Sequence, residues 1–342
     1  MRLADYVVSY SLQINNRCLR YLAECDSRDG ATLGPEGGDD LPSEGHMVYA
    51  ESLLTRDSRR LASMWSLMKP GWAQTGADVA SHVKTLKKAA SGLADGSSAH
   101  RLAMRLASVA SEDHEAQAIL TVARKLRAEK AFSWDVLNEL FAKDSYFWRE
   151  SVEFRHLPDD ELAQRIARSY KKCYRLADRC FADTARLFPQ CSRKLQRRVQ
   201  LCAHQLELLR PGLSDKGKSQ LWYLLKMSDT LRTRSGLQKL HREAQRAAAA
   251  DKALSQQTLE IVLHHIDRQI EKMDKRMIRL ASDCFSVKPK RLAGWVNEAV
   301  DNLGLRDVSL MQAAAQGGAG RALSGAAGPT TGADPTTGKD YV

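Results

Sequence analysis

Aromatic residues make up only 6% of this sequence, and its 342 residues contain 21 Gly and 9 Pro. So few rings and turn formers argue against a β-sandwich, and against a collagen-like polymer. Long apolar runs are also missing. No stretch of about eighteen apolar residues occurs, so no membrane-spanning helix is expected and the chain reads as soluble. Met1 to Leu12 carries Arg2 and then Asp5 without an apolar segment, so no secretory signal is expected. The cysteines Cys18, Cys25, Cys173, Cys180, Cys191, Cys202 and Cys284 are odd in number and include no C-x-x-C pair. They read as reduced thiols of a cytosolic protein, mostly filling the core. Catalytic motifs are lacking as well: there is no nucleophile elbow, no P-loop and no H-E-x-x-H. His264 and His265 are adjacent, and His46, His82, His100, His114 and His156 have no partner at a ligand spacing. The expectation is a protein that is not an enzyme and holds no metal or cofactor.

What is abundant is Ala, Leu, Arg, Lys, Gln and Glu, which favours an all-α chain. There are 52 Lys and Arg against 41 Asp and Glu, a net charge of +11. The excess is concentrated: from Arg165 to Arg242, 19 basic residues face 5 acidic ones, leaving the remainder slightly acidic. Arg165, Arg168, Lys172, Arg175 and Arg179 step by three and four, which places five cations on one helical face. Ile166, Tyr170, Cys173, Ala177 and Cys180 repeat on another face and provide a core side. Asp178 is the single carboxylate within that row, so its mutual repulsion is barely relieved. The row from Arg268 through Lys272 and Lys275 to Arg279 contrasts with it. Asp267, Glu271 and Asp274 are interleaved there, as on an ordinary solvated face.

The chain divides into an N-terminal half, 1–155, a C-terminal half, 156–308, and a tail, 309–342. The tail is Ala, Gly, Thr and Pro and cannot bury a core, so disorder is expected; its Gly318-Ala319-Gly320 lacks the third glycine of a dinucleotide loop. A flexible loop is expected over 27–48, where Gly, Pro and Asp cluster. Pro158, Asp159 and Asp160 mark a helix start at the boundary between halves.

The halves repeat. Arg59 to Gly71 aligns with Gln200 to Gly212 at a constant offset, each ending in a basic residue, Pro and Gly. Leu54, Leu61, Trp65 and Met68 match Leu195, Cys202, Leu206 and Leu209 in helical phase. A second helix follows each copy, with Val83, Leu86, Lys88 and Leu93 opposite Leu221, Leu224, Lys226 and Leu231.

These features together resemble the CHAD family of histidine-containing α-helical domains, over roughly Arg2 to Asn302. The carrying residues are Arg56, Arg59 and Arg60 through Lys69-Pro70, Arg193, Lys194 and Arg197 through Arg210-Pro211, Tyr170 to Arg175, and Lys288-Pro289. The name-giving histidine is replaced by Ser52 and Arg193, and the first motif arginine by Thr55 and Gln196. The resemblance implies two pseudo-repeated antiparallel helical bundles around a basic central channel. It also implies non-catalytic binding of inorganic polyphosphate, in the cytoplasm and on polyphosphate granules.

Polyphosphate offers charge without base edges, so rows of Arg forks and Lys point charges suit it. The expected binding residues are Arg56, Arg59, Arg60, Lys88, Arg165, Arg168, Lys171, Lys172, Arg175, Arg179, Arg193, Arg197, Arg198 and Lys226, with the 165–179 row lining the channel. His204 lies beside an apolar row and reads as a packing or pore-edge residue. Nucleic acid is the rival polyanion and is not favoured, because Tyr170, Trp222 and Tyr223 sit in apolar phase rather than free for stacking. A degenerate scaffold for protein interaction is the other alternative, given the lost motif positions.

Overall fold

The computed structural model describes residues 2–29, 44–68, 81, 84, 102–127, 158–182, 188–250 and 255–305, and every regular element among them is helical. They belong to one unit, Met1–Leu305; the tail expected at 309–342 falls in a second, Arg306–Val342, outside the described residues.

Helices α1 (Leu3–Asp29) and α2 (Glu44–Met68) pack against each other. Of the loop expected at 27–48, residues 27–29 and 44–48 are helical, and 30–43 lie outside the described residues. A helical stretch at 102–107 is followed by α3 (Asp113–Arg127). Helix α4 (Asp159–Ala182) starts just after Pro158, whose carbonyl accepts from the amides of Glu161 and Leu162 at 3.0 and 3.2 Å. Asp159, Asp160 and Glu161 occupy its first turn. Helix α5 (Phe188–Leu208) leads through a tight turn, Arg210–Gly212, into α6 (Asp215–Ala250), α7 (Gln256–Cys284) and α8 (Pro289–Asn302).

The larger core joins α1, α2, α4, α5, the first half of α6, the end of α7 and α8. Ile166, Tyr170, Cys173, Ala177 and Cys180 are buried in it, as their spacing predicted. So are Leu54, Leu61 and Met68 of one aligned row and Leu195, Cys202, Leu206 and Leu209 of the other. Of the paired second helices, Leu221, Leu224 and Leu231 are buried on α6, whereas Val83, Leu86, Lys88 and Leu93 lie outside the described residues.

Two contacts close the bundle. The Leu3 amide donates to Asp159 Oδ1 at 2.9 Å and to the Leu305 carbonyl at 3.1 Å, so the starts of α1 and α4 meet the segment leaving α8. Helix α8 sits directly on the Arg210–Gly212 turn, where Asn302 Nδ2 donates to Gly212 O at 3.0 Å. A Cβ at Gly212 would stand 2.4 Å from Ala299 O, so the backbone approach requires glycine.

Helix α6 has low amphipathicity along its whole length for a structural reason. Leu221, Leu224 and Leu231 face the larger core, but Leu237, Leu240 and Ala244 face a second cluster. At about 100° per residue, those two sets point in roughly opposite directions.

Candidate functional site

The row on α4 lies roughly opposite that helix's core side. Arg168, Lys172, Arg175 and Arg179 are exposed, as is Lys171 on its flank, and none of the five forms an ion pair among the described residues. Arg168 Nη2 donates to Gln164 Oε1 at 3.0 Å, and Arg179 Nε to the Arg175 carbonyl at 3.2 Å, so both are held by neutral groups that leave their charge uncompensated. Arg165 differs: it is partly buried and paired with Glu161 one turn earlier. Glu161 lies just outside the Arg165–Arg242 segment, so the charge balance of that segment does not contain this pairing.

On the neighbouring α5, Arg193, Lys194 and Arg197 are exposed and Arg198 is half-buried. Arg198 lies close enough to Cys173 of α4 to act on its thiol. Burial nevertheless pushes Cys173 up to about 12, with the Arg198 charge pulling the other way. Cys18, Cys173, Cys180, Cys202 and Cys284 are all buried free thiols.

On α2 the predicted arginines separate into different roles. Arg56 is exposed at the side chain and stands 3.6 Å from Asp57. Arg59 is half-buried, and its carbonyl accepts from Ser63 Oγ at 2.9 Å. Arg60 is an internal tie: its Nη1 donates to Asp57 Oδ1 at 3.0 Å and its Nε to Glu207 Oε2 of α5 at 2.9 Å. Asp57 is fully buried and also accepts from Arg17 Nε of α1 at 2.9 Å. Burial opposes the charge on Arg60, yet Glu207, Tyr10 and Asp57 outweigh it and make the guanidinium more basic than usual. The expectation that Arg60 belongs to an open ligand row thus gives way to a buried network joining α1, α2 and α5. Asp57 and Arg17 were missed because a carboxylate beside arginines in sequence looks solvated, and its partner lies forty residues away.

Next to this network, Ser63 Oγ lies 3.3 Å from His204 Nδ1, and Gln205 Nε2 donates to Ser66 Oγ at 3.0 Å. Burial, then the charges of Arg60, Arg59 and Arg232, hold His204 down at about 3. His204 is therefore a neutral packing residue at neutral pH.

Lys226 is half-buried, with its ammonium 5.4 Å from the Trp222 ring centroid. Trp222 corrects the sequence reading, being 52% exposed, while Tyr170 is fully buried and Tyr223 packs partly against the larger core. The first half of α6 turns its apolar face away from position 222. Lys88 lies outside the described residues.

Tyr170 anchors the turn after α7. Its hydroxyl donates to Val287 O at 2.7 Å, and Gln220 Nε2 donates to Cys284 O. A cleft at that turn is lined by Ser286, Val287, Lys288, Lys290 and Arg291. No helix among the described residues is long and apolar enough to cross a membrane. Compared with protein-family models, with curated proteins and with solved structures, the chain finds no match.

Proposed function

We propose that this protein binds inorganic polyphosphate without transforming it, through the open cation row of α4 and the adjacent arginines of α5. The carrying observation is that Arg168, Lys172, Arg175 and Arg179 are exposed on one face with no carboxylate partner among the described residues. An exposed helix ordinarily mixes signs to gain i, i+4 pair energies, as Glu271 and Lys275 do at 2.6 Å on α7. A bound polyanion supplies the missing negative charge. Arg193, Arg197 and Lys171 extend the row, while Arg60 and Arg165 serve the fold. The reading treats the chain as two related halves, of which α2 and α5 are equivalent elements, in a cytoplasmic protein at polyphosphate granules.

Nucleic acid is the second reading, and the exposure of Trp222 beside Lys226 favours it, since an open ring next to a cation can stack a base. Binding of the full chain to purified polyphosphate across a salt series tests the first reading. Affinity should fall steeply with salt, by analogy with counterion release from nucleic acids. Short duplex DNA that displaces polyphosphate at equal charge concentration would promote the second reading. A folded protein with no affinity for either at low salt would leave a scaffold.

A further inference from the structure

The long hairpin of α6 and α7 runs through two apolar clusters that share no buried residue. The inner one contains Leu221, Leu224, Met227 and Leu231 of α6 with Met277, Ala281 and Cys284 of α7. The outer one contains Leu237, Leu240 and Ala244 of α6 with Val262 and Ile266 of α7, and α3 and the 102–107 stretch complete it. Between the two sets the hairpin core becomes polar. Arg234 is buried there, and its Nη2 donates to Asp274 Oδ2 across the hairpin at 3.2 Å. Asp274, read from sequence as part of a solvated row, in fact serves this seam.

The outer cluster also holds a polar pair of its own. Glu115 of α3 stands 3.5 Å from His265 of α7 inside it, with both side chains largely buried. Glu115 Oε2 and both His265 ring nitrogens lack a hydrogen-bond partner. Buried polar atoms left this way subtract stability from the cluster that contains them. The 102–107 stretch approaches α6 closely at Gly236, where a Cβ would stand 3.3 Å from Leu102 Cδ2.

We propose that the outer half of the α6–α7 hairpin, with 102–107 and α3, is a separately cooperative unit that opens and closes while the inner bundle stays folded, with the Arg234–Asp274 pair as its boundary. Burial drives cooperativity, and here the buried apolar surface is interrupted by an ion pair just where α6 reverses its face. Among the described residues, helices α4, α5 and α8 contribute buried residues to the inner cluster and not to the outer one, so their apolar contacts there persist when the outer unit opens. The inference does not depend on the ligand.

Hydrogen exchange of the full chain, followed against low concentrations of urea, tests this directly. Amides of α3, 237–250 and 256–270 should share one opening free energy, lower than that shared by α4, α5 and α8. Leu240→Ala should speed exchange of the outer amides by at least about thirtyfold. Leu206→Ala, in the inner core, should speed α4, α5 and α8 and leave the outer amides unchanged, because they exchange through an opening that keeps Leu206 packed. A single common opening free energy in the unmodified protein, or equal acceleration of all segments by Leu206→Ala, would overturn the proposal.

Discussion

Ser63 Oγ of α2 lies 3.3 Å from His204 Nδ1 of α5, and the two residues stand 141 positions apart, the offset at which the two halves of the sequence align. Arg60 meets Glu207 to one side of that contact, so numbering rises along one helix as it falls along the other. The two helices thus run antiparallel where they meet, and a neutral imidazole sits at that contact.

Acid should act on that crossing. His204 is held at about 3, against an ordinary value of 6.5, so folding disfavours its protonated form. Its contribution is fully present above about pH 6.5 and is lost as pH falls towards 3, at up to about 1.4 kcal/mol per pH unit. Urea denaturation between pH 7 and 4 should show a shallower decline for His204→Gln than for the unmodified protein. Equal slopes would mean that the imidazole is not responsible.

Breaking the Arg60 tie on one side should be costlier than removing it whole. Arg60→Met leaves Asp57 and Glu207 short of positive charge and should cost about 3 kcal/mol. The double change Arg60→Met with Glu207→Gln should cost less than the sum of the single changes. A double-mutant cycle of denaturation free energies measures the difference, and additivity would refute the coupling.

The α4 row should be a site where charge opposes stability. Changing Arg168, Lys172 and Arg175 to Gln should raise the ligand-free Tm slightly, since like charges at i, i+4 cost a few tenths of a kcal/mol per pair. The same change should abolish most of the Tm increase produced by polyphosphate. Retention of the full increase would place the binding groups elsewhere.

Tyr170→Phe should lower stability by about 1–2 kcal/mol, because it removes the donor to Val287 O from a buried position. Thermal scans should register a loss of about 2–4 °C. An unchanged Tm would show that Gln220 alone secures the turn.

The parts visible in the sequence are those built from one uninterrupted helical period. Helix α4 shows both faces in its spacing, and the rows through Leu54 and Leu195 mark buried sides. Helix α6 was harder to read because its apolar side reverses midway, so Trp222 occupies a phase that becomes buried only farther along. Asp57 and Asp274 were illegible for another reason. Each sits among basic neighbours and reads as solvated, but its decisive partner, Arg17 or Arg234, comes from another helix. The candidate binding row needed only local spacing to be found, whereas the removal of Arg60 from it required tertiary structure.

The hydrogen bond from the Leu3 amide to the Leu305 carbonyl gives the unit a mechanical property. The backbone enters and leaves at one point, so tension applied to both ends does not stretch the bundle along its helices. It loads the bonds from the Leu3 amide to Leu305 and Asp159 first.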